Sequence, residues 1–550
     1  MAKNKWLLLI SSLGVLALLV FAAVQENFLR EWRQVQATAR AAEGPIPVQL
    51  RQVVNPALGT ADRCVSCHVA MAPGEQSVVG PQMALHRPVV HDPSEYGCTV
   101  CHGGQGRATD KADAHGHVPF WPEPMLPTRM SEAGCGTCHT AIGVPSRETL
   151  DAAVATFARL DCRACHRVDG RGGTLRPDGG GMEGLDLSRA GLAGYDPSWY
   201  PAHLAKAMQA TTGPWKTSFG PVSESDRARV TTFLSTRVAA PRLVEAKSVF
   251  LSSGCLGCHK VSGVGGDEGP DLTRAGEKDP GRLDFAAVRG ARTLENWFAE
   301  HVRAPSSIVA GSQMPALGLS DGDVEALTFY TLSLRRRDVP GTYLPRDRMR
   351  VARFGEREFA SDGATLFGAF CAGCHGPNGQ GHRAPGMASF PSIANADFLA
   401  VAPDALLAET ILRGRPGRRM RAWGDGSTGL GPADVSALVD HLRRLAGVPA
   451  PVDPRPARWV AGDAAQGERL FAATCAGCHG AKGQGAEGPA LNNAVLLEHA
   501  TDSYLVETVR RGRRGTAMPG FVEPSTVHRT LSVSEIEAVV TFIRSWGGTS

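Results

Sequence analysis

The chain reads as a mainly α protein with three parts: an N-terminal transmembrane helix, a compact cysteine-rich cluster with little regular structure, and tandem small helical domains. Three observations predict this. Residues 6–24 are nineteen positions without a charge, long enough to cross a bilayer. A Cys-x-x-Cys-His motif occurs seven times, densely up to residue 166 and at wide intervals after it. In the wide intervals one order recurs: a short apolar helix, the motif, a glycine-rich loop and a closing amphipathic helix.

The apolar run follows a short basic start, with Lys3 and Lys5 on its N-terminal side. No small-x-small site follows closely; Ala37-Thr38-Ala39 comes only after the charged stretch 26–33. An uncleaved anchor is therefore expected rather than a signal peptide. The two lysines place the start in the cytoplasm and everything after residue 25 outside it. Residues 28–42 read as a juxtamembrane helix.

The motifs are Cys64/Cys67/His68, Cys98/Cys101/His102, Cys135/Cys138/His139, Cys162/Cys165/His166, Cys255/Cys258/His259, Cys371/Cys374/His375 and Cys475/Cys478/His479. They use all 14 cysteines. Each has the form of a c-type haem attachment site: two thiols form thioethers and the adjacent histidine can ligate iron. Disulfides give no reason for a histidine after every second cysteine. Zinc sites combine two Cys-x-x-Cys pairs, or one pair with a histidine pair. Seven covalently bound haem c groups are expected. The net charge of +4 is too small to imply nucleic acid. Few aromatics and 64 glycines suit cores filled by haem.

Between first cysteines the steps are 34, 37 and 27 residues, then 93, 116 and 104. About a hundred residues holding three haems cannot build an ordinary apolar core, so those haems must stack with the chain wrapped round them. The expected division is 1–45 anchor and juxtamembrane helix, 46–150 three-haem cluster, 151–240 divergent fourth unit, and then 241–340, 355–448 and 460–550, one haem each. Proline-rich stretches at 339–350 and 448–458 read as semi-rigid spacers. Ser320-x-x-Asp323 and Ser532-x-x-Glu535 read as N-terminal caps of closing helices.

The repeat carries Gly363-Ala364-Thr365-Leu366-Phe367 or Gly467-Glu468-Arg469-Leu470-Phe471 before the motif. After the motif comes His375-Gly376-Pro377-Asn378-Gly379-Gln380-Gly381 or His479-Gly480-Ala481-Lys482-Gly483-Gln484-Gly485. No strand precedes these glycines, as a phosphate loop would need. The unit resembles the class I cytochrome c domain, well over 241–550 and in part over 151–240. The resemblance implies a distal methionine: Met314 in Gln-Met-Pro for the fifth haem, Met518 in Ala-Met-Pro for the seventh, and Met420, without the proline, for the sixth. A His/Met pair raises the potential relative to His/His. The fourth unit departs from the pattern: residues 216–219 stand where the methionine should be. Lys216, Met208, Met182 and His203 are its local candidates. His203 and its counterpart His301 read better as structural, or as contacts to a haem propionate.

Seventeen histidines less seven proximal ones leave ten. His86, His91, His115 and His117 lie in the loops around the second motif and equal in number the four haems that lack a distal ligand. A bis-histidine array over 64–166 is expected, with Met71, Met83 and Met125 as competitors. His382, His441, His499 and His528 read as solvent-facing or structural. Two arginine clusters, at 413–421 and 510–514, either steer an acidic partner or neutralise propionates.

The segment 96–109, Tyr-Gly-Cys-Thr-Val-Cys-His-Gly-Gly-Gln-Gly-Arg-Ala-Thr, with Ala114-His115-Gly116, resembles multihaem cytochromes that partner cytochrome b-type quinol oxidoreductases. The resemblance covers about a hundred residues. It implies an electron-carrying cytochrome c subunit of a quinol-oxidising membrane complex, on the periplasmic side. Its partners would be cytochrome b-type and iron–sulfur subunits and a soluble redox acceptor, acidic if the arginines steer it. Two other classes stay open: a multihaem reductase or peroxidase with an open fourth haem, and a free-standing conduit to extracellular acceptors. No catalytic residue is marked, since every motif ends in histidine.

Overall fold

The computed structural model describes residues 2–550 except 42–43, 72–85, 87–88, 90, 120, 140, 165, 174–183, 193–203, 205–207, 210–217, 220–221, 336–337, 384–388, 427 and 548–550. The described chain is mainly helical, and its strands form short antiparallel pairs. The helix Ala2–Val24 exposes its apolar side chains all round, with Trp6 and Leu18 about two-thirds accessible. A helix apolar on every face needs a non-aqueous surround. It runs into a π-helical turn, Gln25–Leu29, and breaks at Arg30, whose ψ of 140° is extended.

The juxtamembrane helix is shorter than the sequence predicts. It spans Glu31–Thr38 and gives way to a strand pair, Arg40–Ala41 with Gly44–Pro45. Its buried Gln36 donates to Ser66 O at 2.8 Å and accepts from Gln49 N at 2.9 Å. That amide ties the anchor to the first motif.

From there to Ser146 the described backbone is one hairpin, Val53–Asn55 with Thr60–Asp62, a 3-10 helix, Thr128–Thr137, and single helical turns. Local apolar cores are tiny, such as Val53 with Val65. Leu126, Met130, Ala133, Ile142 and Val144 join the main core, and close backbone approaches add to that packing. A Cβ on Gly134 would stand 1.8 Å from Cys101 O, and one on Gly136 2.0 Å from Ser333 O.

Later units pair a helix before the motif with a closing helix. Gly363 lies against the Ala437 carbonyl and Gly467 against that of Ala538; a Cβ would meet those oxygens at 2.1 and 2.0 Å. Both expected caps form: Ser320 Oγ and Ser532 Oγ accept from Asp323 N and Glu535 N. The same buried lock recurs, with Arg443 donating to Ala402 O and Asp404, and Arg544 donating to Ala500 O and Asp502, at 2.6–2.8 Å. The fourth unit has its own core, where Phe157 and Phe233 stack at 4.2 Å.

The stretch expected as a spacer after residue 339 is structured. It forms a turn, Gly341–Tyr343, and a helix, Arg346–Phe354. Tyr343 Oη accepts from Asn55 Nδ2 at 2.9 Å and packs edge-on to Tyr96. Arg346 donates to Leu192 O at 2.8 Å. The segment thus folds back, because its tyrosine finds partners in the N-terminal cluster and its arginine one in the fourth unit.

Candidate haem-attachment sites and axial ligands

Each motif makes one helical turn. The histidine N–H returns to the first cysteine's carbonyl at 2.8–3.0 Å in all seven. That turn brings the histidine back beside the first cysteine. Among the described residues no disulfide joins the cysteines, and no group of three His, Cys, Asp or Glu converges. The Cys-x-x-Cys pairs there do not assemble zinc-type tetrads. Cys165 lies outside the described residues.

The described sites are not equally enclosed, and Cys478 stands apart. It is exposed, whereas the other described cysteines are half-buried. The reason lies in what packs on each motif. Gly257 and Gly373, between the cysteines of the fifth and sixth motifs, lie against backbone; a Cβ there would meet Phe370 O at 2.9 Å and Gly254 O at 2.5 Å. Gly477, the equivalent position beside Cys478, has nothing within 4 Å of a Cβ. The seventh motif keeps the same turn but turns its second thiol toward open space.

In four motifs the imidazole is already aimed. Nδ1 of His166, His259, His375 and His479 lies 2.8–2.9 Å from the carbonyl oxygens of Leu185, Pro270, Pro391 and Pro489. A backbone acceptor on Nδ1 fixes the tautomer and leaves Nε2 for a metal. Burial lowers the affinity of His259, His375 and His479 for a proton, against the opposing pull of those carbonyls. Burial thus favours the neutral ring, the form that binds metal. A Cβ on Gly269 would stand 2.4 Å from the His259 ring, and one on Gly488 2.9 Å from the His479 ring. These residues fit a haem c with a histidine beneath its ring.

In the N-terminal cluster, Asp62 is buried and accepts from Cys98 N, Thr99 N and Thr99 Oγ1 at 2.5–2.8 Å, fastening the second motif. Two loop histidines face motif histidines. The rings of His86 and His102 are centred 6.1 Å apart, as are those of His91 and His139. Imidazoles on opposite sides of one metal ion, at metal–nitrogen distances of about 2 Å, set ring centres roughly 6 Å apart. Burial first, then its partner histidine, lowers the proton affinity of His91 and of His102. His115 feels His68 after burial, and its ring lies 6.0 Å from that of His117, which is exposed. Sequence spacing could not pair these loop histidines with motifs. Met71 packs on the Val53–Val65 pair, Met125 is half-buried, and Met83 lies outside the described residues.

Met420 and Met518 occupy equivalent loops. Arg415 N and Arg513 N donate to their carbonyls at 2.7 and 2.9 Å, and Trp423 N and Phe521 N then return to Ile411 O and Val509 O. Both methionines are half-buried against the core. Met420 therefore needs no proline to reach the same place. Met314 is half-buried in a differently built loop, after the extra turn Pro305–Ile308. Met182, His203 and Lys216 lie outside the described residues, and Met208 pairs its backbone with Phe219.

His301 is stacked on Trp297 at 4.9 Å and 7°. His441 packs on Phe367 and His528 on Phe521. His499 sits among Arg413, Glu409 and Glu498, and His382 bridges to Phe390. Several cluster arginines serve a role the sequence did not suggest. Arg419 and Arg421 pair with Glu268 and Asp267, Arg413 with Glu498, and Arg514 with Asp397. These pairs join consecutive units.

Residues 243–335 and 360–446 match the family model "Cytochrome c", and 462–543 match "Cytochrome C oxidase, cbb3-type, subunit III". The chain is 32% identical over 198 residues to a cbb3-type cytochrome c oxidase subunit FixP of Bradyrhizobium sp. (strain ORS 278), covering 34% of this chain and 60% of the relative. It is 29% identical over 204 residues to a CcoP subunit of Azospirillum sp. (strain B510), covering 34% and 62%. It thus spans about 60% of the length of these relatives. A reducing HAO-like protein complex of Kuenenia stuttgartiensis aligns at 18% identity over 34% of this chain and 94% of that one; its TM-score of 0.23 bears no argument. The motif geometry and the matched segments agree: the chain carries tandem cytochrome c domains, which hold haem c covalently, behind an N-terminal helix long and apolar enough to cross a membrane.

Proposed function

We propose that all seven motifs carry haem c and that the chain conducts electrons outside the cytoplasmic membrane, as the cytochrome c subunit of a quinol-oxidising complex. When bound, each haem supplies a one-electron Fe(III)/Fe(II) couple. The observation that carries the proposal is the contact between attachment motifs. The thiols of Cys64 and Cys98 are hydrogen-bond neighbours, as are those of Cys258 and Cys374. Gly134 seats the third motif on Cys101, and a Cβ on Gly254 would stand 1.9 Å from Gly373 N. Such spacing suits a relay rather than isolated sites.

In this reading His68, His102 and His139 pair with His115, His86 and His91, and His117 is the candidate left for His166. Met314, Met420 and Met518 ligate the last three haems. The domain division 46–150, 151–240, 241–340, 355–448 and 460–550 follows from one such assignment per motif. Electrons then run from low-potential bis-histidine sites near the anchor to higher-potential His/Met sites. The seventh site, with Cys478 exposed, is the natural exit. Cytochrome b-type and iron–sulfur subunits would supply the electrons.

The relatives' naming as cbb3-type oxidase subunits favours a second reading, delivery to an oxygen-reducing partner. The test is purification from native membranes in mild detergent, with intact mass for haem count. Quinol-dependent reduction with a cytochrome b or iron–sulfur subunit supports the first reading. Co-purification with an oxidase, and oxygen-dependent reoxidation without quinol reduction, supports the second. A lone polypeptide inert to both sinks each of them.

A further inference from the structure

The third motif differs from the later ones in what stands behind its histidine. Where His166, His259, His375 and His479 meet backbone carbonyls, His139 Nδ1 faces a carboxylate, with Asp347 Oδ1 3.3 Å away. Both groups are buried, with side chains 12% and 7% accessible. Among the described residues neither Asp347 oxygen nor His139 Nδ1 has a hydrogen-bond partner. Leaving such groups unsatisfied is costly. A hydrogen bond from Nδ1–H to Oδ1 would satisfy two of these three atoms.

Asp347 does not arrive there by accident of a loop. It sits in the first turn of the helix Arg346–Phe354, where a carboxylate is favoured. That helix is pinned to the cluster by Tyr343 on Asn55 and to the fourth unit by Arg346 on Leu192 O. A second neighbour of His139 is His91, 6.1 Å away between ring centres. The third site therefore brings a second imidazole and a buried anion to the motif histidine.

We propose that Asp347 is a positioning residue for the third haem: it accepts the Nδ1 proton of His139 and makes this haem harder to reduce than the other bis-histidine haems. A carboxylate acceptor raises the basicity of a metal-bound imidazole more than a neutral carbonyl does. A more basic ligand favours the ferric ion. The couple takes up one electron, so a tenfold change in its equilibrium is about 59 mV. The inference rests on the haem reading of this motif. It adds that the segment joining two later units sets the properties of a haem attached about 200 residues earlier.

The experiment uses the full-length protein in detergent. Intact mass first reports the haem count; a wild-type chain lacking the group at Cys135 and Cys138 would refute the haem reading and leave Asp347 without a role. With that haem present, potentiometric titration compares wild type with Asp347→Asn and Asp347→Glu, with electron paramagnetic resonance following each low-spin haem. The expected result is that Asp347→Asn makes one haem about tenfold easier to reduce and shifts one set of g-values, and that Asp347→Glu returns both toward wild type. Wild-type titration of Asp347→Asn overturns the proposal, as does a shift spread over several haems. If Asp347→Asn loses the haem, the Glu variant decides. Retention at the wild-type potential assigns the need to the carboxylate, and loss there too assigns it to packing and overturns the proposal.

Discussion

Replacing Gly467 by alanine tests whether the helix crossing holds the last unit together. A methyl there would stand 2.0 Å from Ala538 O, 2.6 Å from its carbonyl carbon and 2.9 Å from Phe542 Cβ. Ordinary contact is about 3.5 Å, so the helices Ala464–Thr474 and Val533–Ser545 must part by more than ~1 Å. Overpacking of this kind costs about 1–3 kcal/mol. The obstacle is backbone on both sides, which places the cost at the upper end; alanine's better helix propensity returns about 1 kcal/mol. The net loss is about 2 kcal/mol, roughly a thirtyfold change in the opening equilibrium. Hydrogen exchange of the Val533–Ser545 amides in the intact protein reads it directly and avoids assuming two-state unfolding of a multi-unit chain. Gly477, with nothing within 4 Å of a Cβ, is the control. Unchanged protection in Gly467→Ala, or equal loss in Gly477→Ala, refutes the reasoning.

Met420→Ala and Met518→Ala are each expected to make one haem at least tenfold harder to reduce, about 59 mV for one electron. Redox titration should show like effects, since the two loops close alike. Asp62→Ala removes the acceptor for Cys98 N, Thr99 N and Thr99 Oγ1. The expected cost is about 1–3 kcal/mol, seen as incomplete haem loading of the second motif by mass spectrometry. Burial, reinforced by His259 and Lys278, pushes His301 down to about 4. The unfolded chain takes up that proton near pH 6.5, so this contribution to stability is full above pH 6.5 and is lost as pH falls toward 4. Melting temperatures should fall over that window in wild type and fall less in His301→Phe, which keeps a ring on Trp297.

The attachment sites were legible because their chemistry is local. Cysteine, cysteine and histidine fall within one helical turn, and no tertiary contact is needed to see them. The same holds for the caps at Ser320 and Ser532, read from a spacing of three, and for the apolar run of the anchor. The repeated order of helix, motif and glycine loop is likewise local, and it falls in the three segments that match cytochrome c family models.

What stands opposite each histidine was not legible. His86 and His91 are five residues apart, yet they face motifs that differ by 37 positions. Asp347 comes to His139 from a segment whose prolines suggested a spacer, and Met420 matches Met518 through a shared loop closure despite its different neighbours. Nor does the motif foretell how enclosed it is: Cys374 and Cys478 have the same local sequence, Ala-Gly-Cys-His, yet only Cys478 is exposed. Residue type and spacing determine a covalent attachment, because its atoms are adjacent along the chain. A second ligand, a buried acceptor or a covered thiol is decided by which segments cross, and that depends on packing among residues hundreds of positions apart.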